Sequence, residues 1–222
     1  MDEKKLAQDL KKITVIAGKK VMSYFGKAEI QYHKKNAADF VTQADLASNK
    51  IITEFIKKNY PTHGIISEEE KDYKRDAEYV WIIDPLDGTR NFSKHTPFFS
   101  IIIAIMKKNK VIMGTIYNPF FKDLYFAQKG EGAYRNNKKI HCTATPKFEY
   151  SFGAGEPIFR GQHKEQYKKF LLSMEQYHFW TTDLACLGME CVMATDGQRD
   201  WFCQPVCGGV GDLAGGYIIL KE

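Results

Sequence analysis

The apolar stretch Tyr79-Val80-Trp81-Ile82-Ile83 runs straight into Asp84-Pro85-Leu86-Asp87-Gly88-Thr89-Arg90-Asn91-Phe92. Two carboxylates three positions apart therefore leave one strand end. Pro85 stiffens the exit, and Gly88 permits a sharp turn. A segment opening at Gly88 or Thr89 predicts a helix start, whose free backbone N–H groups point at an anion. Carboxylates beside an anion site repel a phosphate unless cations lie between them. Hard divalent cations with oxygen ligands supply that bridge, and magnesium suits phosphate chemistry. An Asp-Gly turn after a strand is common, whereas the full string from Asp84 is much rarer.

Other acidic segments stand where they can join this site. Glu68-Glu69-Glu70 follows the short apolar run Gly64-Ile65-Ile66-Ser67. A glutamate run is ordinarily a solvated helix start, but this one also leaves a strand, and such strand ends can meet in one cleft. Asp39-Phe40-Val41-Thr42-Gln43-Ala44-Asp45 precedes a helix, where Thr42 and Asp45 suit capping. Capping and catalysis do not exclude each other. Gly211-Asp212-Leu213-Ala214-Gly215-Gly216 precedes an apolar run and reads as the first turn of a buried helix. Cap and ligand are both open roles for Asp212.

The elements that must position these residues follow from periodicity. Residues 3–25 predict an amphipathic helix, with Leu6, Leu10, Ile13, Ala17 and Val21 inward and Gly26 as a stop. A second helix is expected over Asp45 to Asn59, with Leu46, Ile51, Ile52 and Phe55 inward. The polar stretch between them, with Lys34, Lys35 and Asn36, predicts a loop or hairpin. Phe98 to Met106 and Val111 to Tyr117 flank a Lys-Lys-Asn-Lys turn and predict an antiparallel hairpin. Leu124 to Ala127 adds a strand. Residues 1–145 thus read as helices on a mainly antiparallel sheet. Residues 146–222 alternate and read as an α/β lobe: a strand at Ser151 to Ala154, helices at Gln162 to Gln176 and Leu187 to Thr195, and a strand at Asp200 to Cys203. The boundary near 145 is soft, so one domain spans the chain.

Composition bounds the rest. The 222 residues are 44% hydrophobic and 14% aromatic, which fits a packed globular protein. The net charge of +5 is too mild to indicate nucleic acid. The most apolar run, Phe98 to Met106, falls short of the roughly 20 residues that span a bilayer. The N-terminus is charged from Asp2 onward and lacks an apolar leader core. A soluble, cytoplasmic chain is expected. Cys142, Cys186, Cys191, Cys203 and Cys207 are odd in number and read as free thiols.

Taken together, these segments resemble the inositol monophosphatase family, the lithium-sensitive phosphatases. Asp84-Pro85-Leu86-Asp87-Gly88-Thr89 looks like the family's first signature, completed by Asn91-Phe92. Thr42-Gln43-Ala44-Asp45, Ser67-Glu68-Glu69 and Asp212-Leu213-Ala214-Gly215-Gly216 occur in the family's order. The resemblance implies a layered αβαβα sandwich, an α+β or α/β fold with a mainly antiparallel sheet first and a smaller mixed sheet after it. It implies metal-assisted hydrolysis of phosphate monoesters with two or three Mg2+ ions. By carry-over, Glu68, Asp84 and the Leu86 carbonyl hold one ion, and Asp84, Asp87 and Asp212 a second. Asp45 and Thr89 orient and help deprotonate the attacking water, with Glu68 beside them. The Gly88 and Thr89 backbone N–H groups hold the phosphate.

Some positions depart from the family pattern. Gly211 replaces a tryptophan, Leu184-Ala185 replaces a Gly-Ser pair, and Gln204 stands where a glutamate binds inositol hydroxyls. The sequence stops soon after the Asp212 segment, short of the family's usual last strand and helix, as either a trimmed version or a truncated one. The expected substrate is inositol monophosphate or a similar polyol or sugar phosphate. Fructose-1,6-bisphosphatase, 3′-phosphonucleotide phosphatase and histidinol phosphatase are the alternatives. A regulatory member of the fold that binds RNA or protein is the alternative of another class. A homodimer without a membrane partner is expected from the resemblance.

Overall fold

The computed structural model describes residues 2–27, 30–32, 40–145, 147–155, 164–174, 176–204 and 209–222. Helix α1 (Glu3–Met22) begins where Asp2 accepts the backbone N–H groups of Lys4 and Lys5, at 2.9 and 3.3 Å. Its stripe of Leu6, Leu10, Ile13, Ala17 and Val21 is buried, as the spacing predicts. Strands β1 (Ile30–Tyr32) and β2 (Phe40–Thr42), both from the stretch between the helices, pair antiparallel. Lys34, Lys35, Asn36 and Asp39 lie outside the described residues.

Helix α2 (Gln43–Asn59) starts at Gln43 because Thr42 and Asp45 form a reciprocal capping box. The expectation for Leu46 is corrected: it is 40% exposed. The buried stripe is Ala44, Asp45, Ser48, Asn49, Ile52, Thr53 and Ile56. That stripe is polar in its first turns because this end of the helix faces polar chemistry and the other end faces the core.

Strands β3 (Gly64–Ser67), β4 (Glu70–Tyr73) and β5 (Tyr79–Asp87) come next, followed by the short helix α3 (Thr89–Ser93). Then come β6 (Ser100–Lys107), β7 (Lys110–Asn118), β8 (Asp123–Gln128), β9 (Gly132–Arg135) and β10 (Lys138–Lys139). They form one sheet of order β10-β9-β8-β7-β6-β5-β3-β4. Only β3 and β5 pair in parallel within it. Lys108 and Asn109 turn the β6–β7 hairpin with φ of 48° and 61°, the left-handed geometry that matches strand twist.

The chain continues with β11 (Phe152–Ala154), α4 (Lys164–Met174), β12 (Trp180–Thr182), α5 (Leu187–Thr195), β13 (Trp201–Phe202) and α6 (Val210–Lys221). The second sheet has order β12-β11-β13, and both pairings are parallel. The small sheet, expected to be mixed, is parallel among the described residues. Its strands are joined through helices, which permits parallel pairing.

Layering follows from strand alternation. Along β6, Ile101, Ile103 and Ile105 join the core under α1 and α2, whereas Ile102 and Ala104 face the other way, towards α5 and α6. A strand buried on both faces reads as a continuous apolar run, which is what residues 101–105 are. Each fully buried isoleucine contributes about 1.5–3 kcal/mol. Thr14 and Thr115 join α1 to β7 through their hydroxyls at 2.9 Å. Helix α5 packs on β6 and β7 of the large sheet and on β11 and β13 of the small one. The order is therefore α1/α2, large sheet, α5/α6, small sheet.

Among the described residues no helix is long and apolar enough to cross a membrane. Cys142, Cys186, Cys191 and Cys203 are free, and Cys207 lies outside the described residues.

Candidate active site

Strand β5 delivers both of its aspartates to one face by breaking its own register. Trp81 and Ile83 point to the α1/α2 core and Ile82 to the opposite side. Strict alternation would put position 87 with Trp81 and Ile83. The pairing with β6 shifts between Asp84 and Asp87, however, where Pro85 has no N–H to give the ladder. Leu86 takes the core-facing place instead. Asp84 and Asp87 then both face the α5/α6 layer.

Parallel pairing brings the next acid alongside. Ser67 of β3 is in register with Ile83 of β5, and the Glu68 N–H reaches the Ile83 carbonyl at 3.4 Å. Glu68 therefore emerges beside Asp84. Asp212 arrives on the first turn of α6, which lies unusually close to the sheet. A Cβ on Gly215 would stand 2.6 Å from Ile102 Cγ2 and 3.1 Å from the Thr115 carbonyl oxygen. The small residues after Asp212 are thus needed for close approach.

One carboxylate oxygen each from Glu68, Asp84 and Asp212 lie within 4.8 Å of one another. Asp84 is buried, Asp212 half-buried, and Glu68 comes from the exposed rim. Burial, then repulsion from Asp212 and other acids, pushes Glu68 up to about 8. Asp84 is raised well above the carboxylate range by burial and then by Asp87, Glu68 and Asp212. Asp212 rises to about 6 through burial and Asp87, offset in part by hydrogen bonds from Gly209 and Asp84. Three hard oxygen donors that repel one another at this spacing fit a hard divalent cation.

A second arrangement adjoins the cluster. The Thr89 hydroxyl lies 3.1 Å from Asp45 Oδ1 and 2.9 Å from the Leu86 carbonyl oxygen. Asp45 Oδ2 accepts from the Thr42 backbone N–H and hydroxyl. Burial raises Asp45, and these donors offset it in part. Asp45 therefore caps α2 and holds Thr89 at once. Gly88 precedes α3 with φ of +79°, and a Cβ there would stand 2.8 Å from the Phe98 carbonyl oxygen. Only glycine meets both demands.

Asp87 sits differently from the expected metal set. Its carboxylate accepts from the Gly188 N–H at 2.8 Å, the Leu187 N–H at 3.2 Å, the Ser100 hydroxyl at 3.0 Å and the Cys186 thiol at 3.0 Å. It caps α5, whose own N-cap residue, Cys186, makes no side-chain cap. Burial raises Asp87, and these four donors offset it in part. Gln204 follows β13 and directly precedes residues 205–208, which lie outside the described residues.

Several residues support the site through hydrogen bonds whose partners the sequence does not reveal. The Ser48 hydroxyl donates to the Pro85 carbonyl at 2.9 Å, and the Ser67 hydroxyl to Asn49 at 2.7 Å. Asn91 donates to the carbonyls of Phe98 and Leu184 at 2.7 and 2.6 Å. Ser100 was visible only through the strand register that sets it opposite Asp87.

Strand-end carboxylates, an adjoining Asp-Thr pair and this layered fold define a phosphoric monoester hydrolase. The chain belongs to the inositol monophosphatase family, whose sequence model matches residues 2–222. It is 34% identical over 222 residues to the protein named Nus factor SuhB of Vibrio cholerae, covering 95% of this chain and 81% of that one. It is 37% identical over 233 residues to a fructose-1,6-bisphosphatase/inositol-1-monophosphatase of Aquifex aeolicus, covering 100% and 85%. The fold matches that of an IMPase from Thermotoga maritima with a TM-score of 0.84 at 27% identity, over 100% of this chain and 83% of that one.

Proposed function

We propose that this chain hydrolyses phosphate monoesters of small polyols or sugars in a magnesium-dependent reaction, with inositol monophosphate as the leading substrate. The observation that carries the reading is the convergence of Glu68, Asp84 and Asp212 within 4.8 Å beside the Asp45–Thr89 contact of 3.1 Å. Glu68, Asp84, Asp212 and the Leu86 carbonyl are the groups that would hold magnesium, with Asp87 adjoining. Bound there, magnesium supplies charge neutralisation and Lewis acidity towards a phosphoryl group. The protein's own part is positioning and proton transfer. Thr89 accepts a proton from the attacking water as it passes its own to Asp45, whose raised affinity for protons suits a general base. The backbone at Gly88 and Thr89 presents N–H groups to the phosphate.

Substrate choice rests on the alcohol portion of the ester. Leu184-Ala185 and Gln204 offer fewer charged acceptors than a glutamate-lined site, which points to weaker preference for inositol over other polyols. The similarity to a bifunctional fructose-1,6-bisphosphatase/inositol-1-monophosphatase agrees with a broad range. The similarity to a protein named Nus factor SuhB supports a second, regulatory reading. The intact carboxylate set favours hydrolysis, because a purely regulatory chain has no use for mutually repelling buried acids. A phosphate-release screen over a panel of sugar, polyol and nucleotide phosphates tests the reading. Release from polyol or sugar esters supports it, and silence across the panel with magnesium present overturns it.

A further inference from the structure

Two polar side chains outside the carboxylate cluster converge on the segment 183–186, which leads from β12 into α5. Glu190 is 2% exposed, and its Oε1 accepts the Leu184 backbone N–H at 2.6 Å. From the other side, the Asn91 amide donates to the Leu184 carbonyl at 2.6 Å and to the Ala185 carbonyl at 3.3 Å. Leu184 is thus held at its N–H and at its C=O by side chains from different elements. Ala185 is left with φ of +50°, a region that residues other than glycine enter only at a cost.

This segment packs on the reaction centre. A Cβ on Gly88 would lie 3.2 Å from Cys186 Cβ. The first amides of α5 then reach Asp87. Ala185 is exposed and Leu184 half-buried, so the segment forms an accessible wall beside the site.

A carboxylate is a costly choice for a buried helix face. The other buried positions of α5 include Met189, Cys191, Val192 and Ala194, and an apolar side chain at position 190 would pack at lower cost. The position in the first turns of α5 suits an acidic side chain, and one of its oxygens takes the Leu184 N–H. We infer that Glu190 is a positioning residue: with Asn91 it fixes the Leu184–Cys186 wall against which the alcohol portion of the substrate is seated. It governs substrate affinity and leaves the chemical step alone. This rests on the hydrolase reading above.

The test uses two variants of the full chain, Glu190→Met, which keeps volume but removes the acceptor, and Glu190→Gln, which keeps an acceptor. Amide exchange over residues 183–188 is followed by mass spectrometry in EDTA, without substrate. Exchange at least tenfold faster in the Met variant, restored to within about threefold by Gln, is expected for a lost clamp. Steady-state kinetics with inositol 1-phosphate should then show KM raised about tenfold in the Met variant, kcat within about threefold of wild type, and rescue by Gln. If the Met variant does not fold, Glu190→Asp withdraws the acceptor by one methylene and carries the same expectation. Unchanged exchange, or a fall in kcat with KM unchanged, overturns the inference. A wild type silent towards every ester overturns the hydrolase reading and the affinity part with it. Normal hydrolysis with an unmoved KM overturns this inference alone.

Discussion

The Thr89 hydroxyl lies 3.1 Å from Asp45 Oδ1, between residues 44 positions apart in the chain. The contact ties the first residue of α3 to the first turn of α2. Because the other Asp45 oxygen is occupied by Thr42, the carboxylate cannot swing away without uncapping its helix. The pair proposed to activate water is thereby held in place by ordinary helix-capping chemistry.

Removing the hydroxyl separates the two roles. Thr89→Ala should lower kcat by about 10²–10⁴, with the melting temperature little changed. Thr89→Ser keeps the hydroxyl and should stay within about tenfold of wild type. Asp45→Asn should lose activity and also about 1 kcal/mol of stability through the weakened cap. Thermal melts beside kinetics check both. An active Thr89→Ala enzyme would reduce this contact to a structural link.

The two ends of the cluster should respond differently to neutralisation. Asp84 is the buried member of the cluster with Glu68 and Asp212, so Asp84→Asn should abolish activity almost wholly. Asp212→Asn should leave a weakened site that needs more magnesium for turnover and runs with lower kcat. Without metal, Asp84→Asn should melt higher than wild type, because the cost of burying an ionisable carboxyl among other acids is gone. Magnesium titrations with melts in EDTA measure these effects. If Asp212→Asn titrates like wild type, Asp212 is a helix cap and no more.

Metal-free stability should fall as pH rises. Asp212 and Glu68 are pushed up to about 6 and about 8, whereas unfolded carboxyls titrate near about 4. Between those values the folded chain binds more protons than the unfolded one, so the slope of stability against pH is negative. In EDTA the protein should therefore melt a few degrees higher at pH 5 than at pH 8. Saturating magnesium replaces the bound protons and should flatten or reverse the trend. A rising stability from pH 5 to pH 8 in EDTA would contradict the raised values.

Gly88→Ala meets a positive φ of 79° and a Cβ contact of 2.8 Å with the Phe98 carbonyl. Strain of this kind costs about 1–3 kcal/mol. The substitution should lower the melting temperature and, by moving the N–H groups proposed to hold the phosphate, depress kcat. Wild-type behaviour would show that this turn has slack.

How much of this was legible beforehand differs by element. The stripe of α1 and the β6–β7 hairpin followed from periodicity and turn residues, because their inward faces are apolar. Leu46 was misassigned for the opposite reason. Near the site the inward face of α2 is Asp45, Ser48 and Asn49, and a rule that places apolar residues inside turns such a helix the wrong way. Asp84, Asp87 and Thr89 were visible as a string. Their shared direction was not, since it depends on the register shift at Pro85. The grip of α5 on Asp87 joins residues about 100 positions apart, and no local pattern encodes it. The parallel pairing of the small sheet was likewise a matter of long-range topology.

The most direct measurement of the central claim is phosphate release from inositol 1-phosphate by the purified chain, with magnesium titrated in and then removed by EDTA. Hydrolysis that rises with magnesium, stops in EDTA and returns when magnesium is restored is the predicted result. Full release in excess EDTA, or none from any small monoester at saturating magnesium, would contradict it.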